Sequence, residues 1–222
     1  MRLLYGRARE PGFFTELLGR FAAGGLRAHV ARGVGARRWS QVRISPEAQI
    51  CRNTYFQINF IDRTPRIVIG ERVFVGEGSY FSAGDLIELK HDCLVGAGCR
   101  FLGAGHSYEN PRTPYAQAAI VSYGHIVLGP NVWIGTGATL IGNVSIGFGS
   151  VVAAASCVRK SVPPLCMVAG SPAALVKTYD WELGQWSRVP ADPGRLGEHL
   201  SRHLASLPGE QEFSRQLGTQ PR

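Results

Sequence analysis

From Leu128 to Val158 the chain places an aliphatic residue at every sixth position: Leu128, Ile134, Leu140, Ile146, Val152 and Val158. A small residue usually follows each one. The fifth position of the unit is small or β-branched, as at Val132, Ala138, Val144, Ser150, Ser156 and Val162. A period of six fits neither an α-helix nor a simple strand, whose periods are about 3.6 and 2. It fits a parallel β-helix, in which one short strand and one turn make a unit and three units close a triangular coil. Stacked coils set like residues above like. The aliphatic column then fills the prism, and the small residues fit its corners. One coil cannot bury its apolar face alone, so several must stack.

The step is looser upstream. Ile44, Ile50 and Phe56 keep it, and Asn59 to Arg66 interrupts it with turn residues. It runs cleanly through Ile69, Val75 and Phe81, shifts by two near Asp85 and Leu86, and resumes as Leu89, Val95 and Phe101. Between Phe101 and Leu128 it stops. That stretch is polar and carries Pro111 and Pro114, so residues 103–127 are expected as a loop extruded from one corner. Loops on a rigid scaffold are where function concentrates. His91 is expected as a solvent-facing corner residue.

At the start, Phe14, Leu17, Leu18 and Phe21 share one helical face, which makes residues 1–43 a helical segment. After Val162, Pro163 and Pro164 break the stacking. Residues 178–222 read as a polar extension in which Leu196, Leu200 and Leu204 mark a short helix, with the last dozen residues loosely held. The division is therefore 1–43, 44–177 and 178–222.

At 222 residues the chain is one domain with appendages. Its 28 glycines suit coil turns that need positive φ. Charged residues are only 18%, as expected if flat faces pack against sister chains. Of the net charge of +8, residues 1–43 hold +7, from nine Arg against two Glu, which leaves +1 for the remainder. The repeat therefore has no basic field, which argues against nucleic-acid binding. The basic start is either a solvated helix face or a peripheral contact with anionic lipid. The five cysteines include no CxxC pair. Cys93 and Cys99 fall on successive fifth positions and are expected as buried free thiols. The start lacks an apolar signal core and no run is long enough to span a bilayer, so a cytoplasmic place is expected, with association at the inner membrane face as an option.

The segment GPNVWIGTGATLIGNVSIGFGSVVAAASCV, followed by KSVPPLCMVAGSPAALVK, resembles the hexapeptide-repeat acyltransferases. Within them it is most similar to the maltose, galactoside and polysaccharide-biosynthesis O-acetyltransferases. The resemblance covers roughly residues 67–177. It implies an all-β, left-handed parallel β-helix, acetyl-CoA as cosubstrate with no metal, and a homotrimer with coenzyme A between neighbouring chains. It further implies transfer of an acetyl group to a sugar hydroxyl in surface polysaccharide or oligosaccharide assembly. The acceptor would be a sugar, a sugar nucleotide or a lipid-linked sugar. Alternatives are N-acetylation of a nucleotide-linked amino sugar, a zinc lyase of the carbonic anhydrase type using His91, His106 and His125, and a non-catalytic scaffold.

His106 is the main candidate for chemistry. A sugar hydroxyl is a weak nucleophile at neutral pH and needs a base within hydrogen-bond reach. Imidazole, with a reference pKa of about 6.5, can take that proton and later return it to the leaving thiolate. The resemblance places the family's catalytic His on His106, in the unbroken segment LKHDCLVGAGCRFLGAGH. The family's Asn one coil earlier falls on Gly76 to Gly78, which leaves the orienting partner open among Ser82, Asp85 and Glu109. By the same resemblance Trp133 walls the acyl and acceptor site, or else packs at a subunit interface. Thr136 offers its backbone N–H to the oxyanion. Ala154, Arg159, Lys160 and Lys177 line the coenzyme A groove. Tyr108, Glu109, Arg112 and His125 have the hydrogen-bonding and stacking character of a sugar site.

Overall fold

The computed structural model describes residues 28–60, 62 and 64–217. The strands of its coil form three sheets, and the chain visits them in rotation. The first face holds His29–Val30, Gln49–Ile50, Phe74–Val75, Leu94–Val95, Trp133–Ile134, Val151–Val152 and Cys166–Gly170. The second holds Gly35–Ala36, Tyr55–Ile58, Tyr80–Ala83, Arg100–Leu102, Thr139–Ile141 and Cys157–Val158. The third holds Val42–Ile44, Ile67–Ile69, Leu86–Leu89, His125–Leu128 and Val144–Ile146. Within each face these strands pair in parallel, as Leu128 with Ile146 and Phe101 with Leu140. The chain is a parallel β-helix.

The coil is widest at its start. Ile44 pairs with Ile69 and Ile69 with Leu89, steps of 25 and 20 residues, whereas Leu128 pairs with Ile146 after 18. The extra residues bulge at the corner between the second and third faces. Third-face strands bury two residues each, as Ile87 and Leu89 do. The residues added at that corner are the physical reason for the two-residue shift near Asp85, since Val144 and Ile146 are both buried as well with no shift after Leu140. Phe56, Phe81 and Phe101 form the aromatic part of the core, with Phe81 and Phe101 stacked at 4.4 Å and Phe56 5.2 Å from Phe81.

The other two corners repeat one turn. Its third residue has positive φ at Gly33, Asn53, Gly78, Gly98, Gly137 and Ala155, and at Glu47, Arg72, Asp92, Asn131, Gly149 and Leu165. Stacked turns touch so closely that a Cβ on Gly135 would sit 2.5 Å from the Ala154 nitrogen.

Two expectations need correction. Residues 28–43 are coil rather than helix, because Val30, Ala36 and Val42 already keep the step of six. The apolar face at Phe14, Leu17, Leu18 and Phe21 lies outside the described residues. At the other end, the boundary at 177 cuts a strand. Ala173–Asp180 runs antiparallel to Cys166–Gly170 and pairs in turn with Gln185–Arg188. The expected helix is present as Pro193–Ser206, capped by the Asp192 carboxylate, which accepts from the Arg195 backbone N–H at 2.9 Å. It lays Leu200 against the core and buries His203. A second helix, Glu210–Gln216, occupies part of the stretch expected to be loose, because Phe213 packs 4.7 Å from Phe148.

One corner contact gives a pH-dependent prediction. Arg72 grips Asp92 through two bonds of 2.7 and 2.9 Å, and His91 Nδ1 lies 2.7 Å from the same carboxylate. Arg72 first, and His91 after it, hold the Asp92 carboxyl below the usual range against an opposing effect of burial. A lowered carboxylate contributes stability above its unfolded pKa and loses it as pH falls through the folded value. Asp92→Asn keeps a residue that tolerates the local φ of 62°. It should cost under about 1 kcal/mol at pH 7, since the pair is part-exposed. In thermal melts the gap to wild type should close below about pH 4; a gap constant down to pH 2 contradicts the assignment.

Burial pushes the Cys93 and Cys166 thiols up to about 12 and raises Cys99 as well. Cys51 and Cys157 are partly exposed. A thiol reagent at pH 8 should therefore label two sulfurs in the native protein and all five in denaturant. Rapid native labelling of more than two would contradict this packing.

Candidate active site

The chain leaves the coil after Leu102, at the corner between the second and third faces. The long segment is not a plain loop: Ala104–His106 pairs antiparallel with Ile120–Ser122, so a short ribbon carries His106 opposite Ile120. Small residues seat it. A Cβ on Gly84 would meet the Gly103 carbonyl at 2.0 Å, and one on Gly105 would meet the Tyr123 hydroxyl at 2.1 Å.

His106 is exposed, and its Nδ1 lies 3.1 Å from the Ala118 carbonyl oxygen. A carbonyl only accepts, so Nδ1 carries the proton. In the neutral form of that tautomer the lone pair is on Nε2. The ring's hydrogen-bond partner is this main-chain carbonyl. Of the side chains expected to orient it, Ser82 accepts from Asn59 and Asp85 lies 3.7 Å from Arg66.

Several of the expected residues share this corner. Tyr108, Glu109 and Arg112 are exposed on the same long segment, with Tyr108 70% accessible. His125 opens the third-face strand where the segment returns, and its backbone N–H donates to Asn143 Oδ1 at 3.1 Å. Arg159 and Lys160 stand at the same corner two turns above, exposed and without an ion pair among the described residues.

The rest lie elsewhere. Trp133 points outward from the first face, 51% accessible, between Leu94 and Val151. Thr136 and Ala154 stack at the corner between the first and second faces, where the Ala155 N–H donates to the Thr136 carbonyl at 2.9 Å. Lys177 lies on the C-terminal hairpin, in register with Met167 on one side and Arg188 on the other. Residues paired across a sheet point the same way. The outer column of the first face therefore runs Phe74, Leu94, Trp133, Val151, Met167, Lys177, Arg188: an apolar track ending in two cations. Like charges directly opposite one another are unfavourable unless an anion lies between them. Beside the pair lies a cleft of about 510 Å³ walled by Leu175, Val176, Val189, Pro190 and Leu196. Arg188 escaped the sequence reading because only the hairpin brings it to Lys177.

A single chain thus divides the expected residues into two groups, separated by the width of the second face. His106, His125, Arg159 and Lys160 belong to one, and Trp133, Thr136, Ala154 and Lys177 to the other. The three histidines of the zinc alternative are divided too: His91 is at the corner between the third and first faces, bonded to Asp92. Among the described residues no three metal-ligating side chains gather. Among them, too, no helix is long and apolar enough to cross a membrane.

No family model matches the chain. In sequence it is similar to the chloramphenicol acetyltransferase of Klebsiella aerogenes, 34% identical over 100 residues, which are 38% of this chain and 48% of that one. WbbJ of Escherichia coli K12, named for O-acetyl transfer in lipopolysaccharide biosynthesis, is 40% identical over 64 residues, 29% of this chain and 33% of that one. The chain is a homologue of acetyltransferases. It spans about half the length, or less, of these two relatives. Solved structures share the fold. The hexapeptide-repeat acetyltransferase VCA0836 of Vibrio cholerae, complexed with acetyl coenzyme A, superposes with a TM-score of 0.53 at 24% identity over 74% of this chain and 75% of that one. The N-acyltransferase AntD of Bacillus cereus, in complex with dTDP-4-amino-4,6-dideoxyglucose and coenzyme A, gives 0.62 at 16% identity over 86% and 94%.

Proposed function

We propose that the chain is an acetyl-CoA-dependent O-acetyltransferase acting on a sugar hydroxyl in the assembly of a surface polysaccharide or oligosaccharide, on a left-handed coil and with His106 as general base. The observation that carries this reading is the Nδ1 contact of the exposed His106 with the Ala118 carbonyl, which favours the Nδ1–H tautomer and leaves Nε2 as the proton acceptor. In the reaction the acceptor oxygen attacks the thioester carbonyl while Nε2 takes its proton. The tetrahedral oxyanion is held by a backbone N–H, for which Thr136 is the candidate. Collapse breaks the C–S bond, and the imidazolium returns the proton to the thiolate. The products are the sugar ester and free coenzyme A.

The two groups of residues meet if a neighbouring copy presents its first face to the ribbon, which is why we propose a homotrimer with a shared site. The apolar track of the first face suits the pantetheine arm, and Lys177 with Arg188 suits the phosphates. Trp133 would wall the reacting centre. Ala154 and the Arg159–Lys160 pair would border the groove, and Tyr108, Glu109, Arg112 and His125 would border the acceptor. A coenzyme A substrate fits a cytoplasmic place, and the basic start fits the inner membrane face. Failure to float with anionic vesicles at low salt would count against the latter.

The test is release of thiol from acetyl-CoA with a panel of sugars and amino sugars. Acceptor-dependent release that His106→Ala abolishes is expected. A small loss in that variant with an amino sugar as best acceptor would favour N-acetylation instead, since an amine needs less help from a base. Absence of coenzyme A binding by calorimetry would sink the transferase reading.

A further inference from the structure

The outer surface of the second face is neither apolar like the first nor part of the site assigned above. Register sets Tyr55 beside Tyr80 and Tyr80 beside Arg100, with Gln57 beside Ser82 in the next column. Tyr55, Gln57, Tyr80 and Arg100 alternate with the core-facing Phe56, Ile58, Phe81 and Phe101, so they stand on the outside of the sheet, while Ser82 beside them is covered. A Cβ on Gly35 would lie 2.8 Å from the Tyr55 ring, so that ring leans over Gly35. It remains 40% exposed. The Tyr80 ring is parallel to it within 6° at a centroid distance of 6.3 Å, an offset arrangement that leaves ring surface open to solvent. Along the edge of this surface runs a hydrogen-bonded ladder. Gln57 Nε2 donates to Asn59 Oδ1 at 3.0 Å, and Asn59 Nδ2 donates to Ser82 Oγ at 3.2 Å. Arg100 completes the patch, exposed and without an acidic partner among the described residues.

This combination is the chemistry of carbohydrate recognition. Flat aromatic rings accept the C–H face of a pyranose. Amides fixed by their neighbours offer both donors and acceptors to ring hydroxyls. A planar guanidinium forks onto adjacent oxygens. The patch also has a direction. Its strands end at the corner where the ribbon bearing His106 leaves the coil, and the Gly103 N–H donates to the Ser82 carbonyl at 2.8 Å. From Arg100 back to Tyr55 it crosses two strand spacings, roughly 10 Å, more than one sugar ring.

We propose that the outer second face is an extended glycan subsite, holding sugar residues that adjoin the one presented to His106. The acceptor is then an oligosaccharide or polysaccharide rather than a free monosaccharide. The link to acetylation rests on the function proposed above; binding of the glycan itself does not. The test uses the full chain on an array of defined bacterial surface oligosaccharides and their constituent monosaccharides, with coenzyme A titrated into the same preparations. Wild type and His106→Ala should retain the same oligosaccharides and no monosaccharide. Tyr55→Ser and Asn59→Ala should each weaken that binding at least tenfold, Tyr55→Phe should keep it, and all should bind coenzyme A as wild type does. Oligosaccharide binding unchanged in Tyr55→Ser, or no glycan retained by wild type, would overturn the subsite. Loss of coenzyme A binding by wild type would overturn the transferase reading and leave the glycan result to judge the subsite on its own.

Discussion

His106→Ala should lower kcat/KM for acetyl transfer by about 10²- to 10⁴-fold, the usual range for a general base. Coenzyme A affinity should stay within about twofold, because the affected step is proton transfer and not cofactor binding. On the proposed reading the ring acts in the tautomer that its contact with the Ala118 carbonyl favours. A change to the ribbon should therefore act through the same step. A Cβ on Gly84 would meet the Gly103 carbonyl oxygen at 2.0 Å, so Gly84→Ala must shift the main chain at the root of the ribbon. That variant should lose kcat while its KM for acetyl-CoA stays near wild type. Full activity in His106→Ala with any acceptor would remove the base from the account.

The second large effect is on stability. Phe81 is fully buried, stacked at 4.4 Å on Phe101 and 5.2 Å from Phe56. Phe81→Ala should cost about 3–5 kcal/mol, because backbone pairing on both sides keeps the coils from collapsing into the space. Phe81→Leu, which fills more of the volume, should cost less. Urea unfolding at one fixed protein concentration measures both, since assembly would add to the apparent stability. A loss under about 1 kcal/mol for the alanine variant would mean that the Phe56–Phe81–Phe101 stack is not the core of the prism.

The coil was readable where its units are six residues long and its corners carry small residues, from Leu128 to Val158. It was not readable over residues 28–43, although Val30, Ala36 and Val42 keep the step. Ala36 is too small to mark a core position, and the glycine turn at Gly33 looks like a helix break. The shift near Asp85 came from residues added at the corner between the second and third faces. Sequence spacing put His106 at the loop, but its hydrogen-bond partner is a backbone oxygen placed by the ribbon, and no side-chain motif encodes it. Arg188 was invisible for a similar reason, since its pairing with Lys177 depends on the turn before Gln185. The patch at Tyr55 and Tyr80 was missed because both strands carry the same alternation as any coil strand.

The central claim is that one site takes His106 from one copy and the first-face groove from another. Co-expression tests it most directly. His106→Ala carries an intact groove, and the double variant Lys177→Glu, Arg188→Glu carries an intact base. Each alone should be nearly inactive. Differently tagged and purified together as mixed oligomers, they should recover about a quarter of wild-type activity, the chance that one neighbour supplies an intact base and the other an intact groove in a closed ring. Mixed oligomers no more active than the two variants apart would contradict a shared site.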